Sequence, residues 1–450
     1  MSATQEMQAP SRGQEMHALI RELYPLCRSL TGDGVRETLR VLGRFVPLEV
    51  HEVPSGTPVF DWTVPREWNL REAWIATRDG RRVVDARDSN LHVVSYSTPL
   101  RRRVPLAELR AHLHSLPDRP DWIPYRTSYY HESWGFCVSE RQLASLTEPE
   151  YEVCIDATLA PGSLCYGEWL LRGRSPREIL ISVHVCHPSL CNDNLSGLAV
   201  SALLARTLLE REGEREYGVR FLWVPGTIGS ITWLARNAES AGRIAHGLTL
   251  VCLGDPSPFT YKRTLRGDAE IDRAAALALR ESGFAHALID YFPFGYDERQ
   301  YNSPGFRLPV GSLMRARHGR FPEYHTSADG LDFVAPAPLE ESLDVVSALL
   351  DVLDGNRVYR STSPCGEPQL GRRGLYRALG GEPDVAELEL ALLWTLTLAD
   401  GAHSLLDVAE RSGLRFAQVQ RAAGLLRAHG LLEPCAAAEN DNGRVGCASC

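Results

Sequence analysis

The chain has 450 residues, of which 44% are hydrophobic and 23% charged, and its net charge is −9. That balance is enough to build a large packed core, and the acidic surplus argues against a general nucleic-acid coat. No run of about 18 apolar residues occurs and the polar start lacks the apolar stretch of a signal peptide, so a cytoplasmic protein without a membrane span is expected.

Residues 15–45 predict two helices around the turn Thr31-Gly32-Asp33-Gly34, followed by a strand over 47–53. From 60 to 147 the chain turns rich in Trp, Tyr, Pro and short β-type runs such as 82–85 and 91–94. This stretch reads as a small β-rich module inserted into the main domain. Within it Tyr125, Arg126, Tyr129 and Tyr130 crowd one loop. They either wall a substrate cleft, with Arg126 gripping a carboxylate, or form a structural aromatic cluster.

Residues 1–59 and 148–358 make up the expected main domain. Apolar strand-like runs at 179–183, 219–224 and 248–253 alternate with helical ones at 198–209, 228–238 and 271–282, and a helix over 339–353 closes the unit. Such alternation predicts a mostly parallel sheet covered by helices on both faces. A Pro/Gly/Ser-rich linker follows at 359–375. Helices over 386–400, 404–411 and 416–429, with a wing from 431, then predict a winged helix-turn-helix domain over 376–435. Residues 436–450 read as a disordered tail. The eleven cysteines form no four-ligand zinc pattern, lysine occurs once, at Lys262, and no phosphate or dinucleotide loop is found.

The chemistry-bearing signal is His184-Val185-Cys186-His187-Pro188 with Asn192-Asp193-Asn194-Leu195-Ser196-Gly197. It lies between a predicted strand and a predicted helix, where parallel sheets present ligands. Imidazole nitrogen and carboxylate oxygen suit zinc when thiols are absent, and His184 or His187 could meet Asp193 from one loop. Read alone, such a segment is more often a structural turn with a helix cap than a metal site. Three further segments strengthen the metal reading: Gly254-Asp255 after the next strand, Tyr296-Asp297-Glu298-Arg299-Gln300-Tyr301, and Tyr324-His325-Thr326-Ser327-Ala328-Asp329.

Together these segments resemble the M28 family of zinc aminopeptidases. The phrases Cys186-His187-Pro188-Ser189-Leu190 to Gly197 and Asp297 to Tyr301 are similar to the DUF4910 aminopeptidase-like subgroup, with its inserted DUF2172 module and C-terminal winged helix. The resemblance implies a three-layer α/β/α zinc-exopeptidase-like domain. It implies one or two zinc ions held by His184 or His187, Asp193, Asp255 and His325, with a strained or cis peptide after Asp193. Cys186 would stand where the family has an aspartate that orients the ligand. The family's Glu-Glu pair should fall just after the strand 219–224, yet Val224-Pro225-Gly226-Thr227 holds no carboxylate. Glu298 or Asp297 is the expected replacement for the missing base.

The expected activity is metal-dependent hydrolysis of an amide next to a free amine in a small peptide or aminoacyl-type substrate, lined by Arg126, Tyr129, Tyr130, Tyr301 and Tyr324. Acyl transfer or cyclisation on the same scaffold, or a degenerate ligand-binding or DNA-binding regulator, are the alternatives. Self-association into a homo-oligomer and protein or DNA contact through the winged helix complete the expected partners.

Overall fold

The buried apolar runs of the sequence meet at the centre of one sheet. The structure, a computed structural model, describes residues 10–211, 213–375 and 383–435. The sheet contains β1 (Glu49–Pro54), β2 (Ser163–Leu171), β3 (Glu178–His184), β4 (Gly218–Val224), β5 (Ile244–Leu250), β6 (Phe259–Lys262), β7 (His286–Ile289) and β8 (Val310–Met314). Their order is β1-β2-β4-β3-β5-β8-β6-β7. The central strands β4, β3, β5 and β8 are parallel neighbours, as the helix–strand alternation predicts. Antiparallel pairing of β1 with β2, β2 with β4 and β6 with β8 makes the whole sheet mixed.

Every residue of β3 and β5 is buried, which requires cover on both faces. Helix α1 (Arg12–Leu23) packs on α3 (Ser196–Glu210), which lies against β3, while α2 (Asp33–Leu42) and α4 (Ile228–Arg236) pack against β2. α1 starts with a capping box between Ser11 and Gln14, which satisfies two backbone donors at the point where the helix begins.

The inserted module is a four-stranded antiparallel sheet in the order Arg82–Asp85, Glu67–Ala76, Glu150–Ala160, Leu100–Pro105. It runs past residue 147, because Glu150–Ala160 pairs with Glu67–Ala76 along nearly its full length. Residues 91–94 are a 3-10 turn and an isolated bridge rather than a strand. Ser89 accepts from the Leu91 N–H and starts the turn.

The chain divides into two compact units, residues 1–267 with 285–344, and residues 268–284 with 345 onward. In the second unit α5 (Glu270–Ser282), expected to belong to the α/β domain, is joined to the winged helix. Arg273 pairs there with Asp407 and Glu410. The winged helix comprises α7 (Pro383–Thr397), α8 (Leu405–Ser412) and α9 (Phe416–Ala428), with the end of α6 (Pro336–Gly355) leading into it. A three-stranded sheet of Asp400–Ser404, Val358–Ser361 and Leu432–Pro434 completes it. Residues 359–361 of the middle strand lie in the stretch read as linker, and their pairing with Leu432–Pro434 fixes the chain there. The predicted tail over 436–450 lies outside the described residues. Among those described, no helix is long and apolar enough to cross a membrane.

Candidate metal centre

β3 ends at His184, opposite Val224 at the end of β4, so the two strand ends lie side by side at one edge of the sheet. The loop leaving β3 carries His187 and Asp193 before α3 begins at Ser196. The peptide bond between Asp193 and Asn194 is cis, as the resemblance implies. Asp329 holds this loop from the far side of the sequence. Its Oδ1 accepts from the Asn192 N–H at 2.6 Å and its Oδ2 from the Asp193 N–H at 2.9 Å. Burial pushes the Asp329 carboxyl up to about 8 even though both N–H groups pull it down. Asn194 closes the other end: its Oδ1 accepts from the Gly197 and Cys252 N–H groups and its Nδ2 donates to the Leu250 carbonyl.

These anchors deliver Asp193 to the middle of an imidazole cluster. The carboxylate has no exposed surface. Its Oδ1 lies 2.9 Å from His184 Nε2, and its Oδ2 lies 2.9 Å from His325 Nε2 and accepts from the Tyr296 hydroxyl at 2.6 Å. His187 supplies a third imidazole, with its ring centroid 4.8 Å from that of His184 and 5.1 Å from that of His325. Burial opposes the charge on Asp193, but His187, then hydrogen bonds from His184 and His325, hold its carboxyl well below the usual range. Burial keeps the His187 imidazole well below its ordinary value, against the pull of Asp193. One ligand atom from each of His184, His187 and Asp193 lies within 4.8 Å of the others. Neutral imidazole beside an ionised carboxylate is a donor set that zinc takes, so these residues fit the ion the family implies. The site opens at His325, whose side chain is 32% exposed while His184 and Asp193 are closed off.

The remaining expected site residues fall into two groups. Tyr324 lies at the cluster: its hydroxyl is 2.6 Å from that of Tyr296 and its ring stacks on His325 at 3.9 Å. Asp297 is buried beside the same strand ends. Its Oδ1 accepts from the Thr227 N–H at 2.7 Å and the Ser230 hydroxyl at 2.8 Å, at the start of α4. Burial raises its carboxyl, and the nearby His184 opposes that.

Asp255, expected as a ligand, does not join the group. Its oxygens accept from Ser257 N–H, Asn192 Nδ2 and Ala316 N–H, so the carboxylate serves the loop rather than the cluster. Glu298, the other expected base, is paired: its Oε1 is 2.5 Å from Lys262 Nζ, both side chains are fully buried, and its Oε2 accepts from the Tyr296 N–H. Tyr301 is wholly buried and its hydroxyl is bonded to that of Ser182. In the aromatic loop, Tyr130 is exposed and donates to the Thr63 carbonyl, and Arg126 is exposed, with its carbonyl bonded to Ser95 N–H. Tyr129 reaches the cluster only through the hydroxyl of Tyr125, at 3.0 Å. Tyr125 is the member of that loop that touches the site, with its ring 5.4 Å from His187 and 5.2 Å from His325. Its N–H donates to the His325 carbonyl at 2.8 Å.

Sequence reading passed over Cys252, in the loop after β5, whose thiol is raised well above the ordinary value by burial first and then by the charge of Asp193. It also assigned no role to Tyr296, although Tyr296 opens the segment it singled out. At the turn after β4, Gly226 donates its N–H to Cys186 Sγ at 3.2 Å. A Cβ placed on Gly226 would lie 3.3 Å from Cys186 Sγ and 3.6 Å from His184 Cβ, so a side chain there would start out facing the first ligand strand.

Residues 17–356 match DUF4910, a domain of unknown function, and 357–434 match a winged helix-turn-helix. The chain belongs to the DUF4910 family. A Clostridium acetobutylicum relative, described as a candidate polysaccharide biosynthesis protein with an aminopeptidase-like domain, is 47% identical over 414 residues, covering 92% of this chain and 95% of the relative. A crystal structure of a candidate peptidase from the same organism superposes with TM-score 0.89 at 45% identity, over 94% of this chain and 96% of that one. A zinc aminopeptidase from Bacillus subtilis matches at TM-score 0.55 and 14% identity, over 77% and 96% of the two chains. This DUF4910 chain therefore has a mixed α/β fold similar to the M28 aminopeptidases, followed by a winged-helix domain.

The buried pair Lys262–Glu298 generates a prediction. Lys262 also donates to the carbonyls of Phe292 and Phe294, each at 3.1 Å, and so fixes the segment that presents Tyr296. Lys262→Met leaves Glu298 buried and uncompensated and should cost about 3–5 kcal/mol in urea unfolding, whereas Lys262→Met with Glu298→Met should recover most of that loss.

Proposed function

We propose that this chain is a single-zinc amide hydrolase of the aminopeptidase type, acting next to a free amine in a small peptide or aminoacyl-like substrate. The observation that carries the reading is the convergence of His184, His187 and His325 on the buried carboxylate of Asp193. The 45–47% identical relatives, described through a peptidase and an aminopeptidase-like domain, agree with it.

In this reading His187, Asp193 and His184 or His325 hold the ion. His187 is kept neutral by burial, as a ligand must be. Bound zinc supplies a Lewis acid for the amide carbonyl and an acidified water. The Tyr296 hydroxyl gives its one proton to Asp193 and so accepts from Tyr324, which makes it a holder of the carboxylate. Asp297, standing at the turn where the family's carboxylates are expected, is the group that takes the proton. The buried cluster excludes water except at the His325 edge, where substrate enters.

The absence of a carboxylate at Gly226 supports a second reading, amide-to-amine acyl transfer or cyclisation, because those reactions need a polarised carbonyl but no hydrolytic base. Product mass separates the two: hydrolysis adds water and transfer does not. The winged helix would then act in protein or DNA contact. An isolated segment over 376–435 that shifts no DNA at low salt would leave protein contact as its role.

Three outcomes are expected. Purified protein analysed by plasma mass spectrometry carries one zinc per chain, and aminoacyl-amide hydrolysis stops on chelation and returns with zinc. His187→Ala and Asp193→Asn abolish zinc binding in the folded protein, as checked by circular dichroism, while Asp255→Asn retains it; equal zinc in all three contradicts the assignment. Gly226→Glu raises zinc retention against a competing chelator by about tenfold, the scale on which one group near a metal acts. An unchanged or lowered retention shows that position 226 does not face the ion.

A further inference from the structure

One cavity lies beside the metal cluster and is used by nothing described above. It has a volume of about 180 Å³ and is lined by Phe292, Phe294, Met314, Arg317, His318 and Arg320, among others. Its rim is the loop that leaves β8, at the same edge of the sheet where β3 and β4 present the cluster. The link between the two is a single side chain. The ring of Tyr296 stacks on His184 at 4.3 Å and meets the ring of His318 at 5.3 Å.

The polar side chains of this cavity are poorly partnered. His318 is only 6% exposed, yet neither ring nitrogen makes a well-formed hydrogen bond, a marginal contact with the Phe294 backbone apart. A buried imidazole without a partner is costly, and a site that tolerates it generally completes it with a bound group. Arg317 and Arg320 form no ion pair with a carboxylate among the described residues. Arg317 is half-buried, with its guanidinium 5.9 Å from the Phe292 ring, and Arg320 is exposed at the mouth. The acidic groups that act on His318 are Glu298 and Asp193, and Lys262 and the imidazole cluster respectively hold them. The local field is therefore that of two uncompensated guanidinium groups over an aromatic and apolar floor.

We propose that this cavity is a substrate subsite for an anionic group, a carboxylate or a phosphate, gripped by Arg317, Arg320 and His318 with an apolar or planar portion against Phe292 and Phe294. Resting on the hydrolase reading above, it makes the substrate an amine-bearing amide with an acidic group one side chain away from the metal-bound end. Arginine forks match both oxyanions bidentately, so the shared chemistry is the oxyanion and its source is decided by experiment.

The test is calorimetric titration of the full-length protein at fixed ionic strength with inorganic phosphate and, separately, with succinate, before and after zinc is stripped. The wild-type protein binds one of the two anions saturably. Arg317→Ala and Arg320→Ala each weaken it about tenfold, the double variant abolishes it, and stripping zinc leaves it unchanged. His318→Gln weakens it as well; because His318 is buried and that variant can misfold, the two arginine variants carry the decision. Phosphate bound in preference to succinate assigns a phosphorylated substrate, and the reverse assigns a carboxylate. Binding of neither anion, or binding indifferent to both arginine substitutions, overturns the proposal and leaves the hydrolase reading standing. Arginine-dependent binding in a protein that never takes up zinc keeps the anion site and removes the hydrolase reading.

Discussion

A carboxylate with no contact with water is the element on which the rest of this site depends. Left alone, Asp193 would be protonated or would destabilise the fold, because burying an uncompensated charge costs far more than one hydrogen bond returns. The fold answers by bringing His184 from the end of β3 and His325 from a segment more than a hundred residues later to its two oxygens, with the Tyr296 hydroxyl bonded to one of them and His187 of the following loop within 4.8 Å. Asp329 and Asn194 hold the backbone that carries it. The inserted module takes part as well, since Tyr125 hydrogen-bonds the backbone of His325 and packs its ring on two of the imidazoles. A group so arranged is poised for a cation: the imidazoles that surround the carboxylate are the same ones that would share it with zinc.

Much of this was readable in the amino-acid order because it is local. The phrase from Cys186 to Gly197 falls between a wholly apolar strand and a helix, and Tyr324 to Asp329 puts a histidine and an aspartate in one polar loop. Those two segments contain His187, Asp193, His325 and Asp329, which are the ligand candidates and the anchor of their loop. What escaped depends on direction rather than on residue type. Asp255 ends its loop as a ligand would, but its carboxylate accepts from Ser257, Asn192 and Ala316 of the surrounding loops. Glu298 looks like a base until its partner is known. That partner is the chain's single lysine, and a lone lysine amid so many arginines was a signal that it does something arginine cannot, namely fit a compact buried cation against one carboxylate.

The same limit applied to the sheet. Periodicity located β3, β4 and helices α3 to α6 because each is a long run with one pattern. The strands β6, β7 and β8 are short, and their place in the sheet comes from pairing with partners far along the chain, which no local window contains. Residues 150–160 fall in the range expected for the main domain, although Glu150–Ala160 is a strand of the inserted sheet. Only its partner, Glu67–Ala76, identifies the sheet to which it belongs.

The account stands or falls on whether the imidazoles around residue 193 bind one ion together. Zinc K-edge X-ray absorption on the intact protein loaded with a single equivalent of zinc measures this directly. The expected spectrum has a first shell of nitrogen and oxygen only, with the multiple-scattering signature of at least two imidazoles that is lost in Asp193→Asn. A shell containing sulfur, which would place the ion on Cys186 or Cys252, or a fully hydrated ion with no imidazole signature, would contradict it.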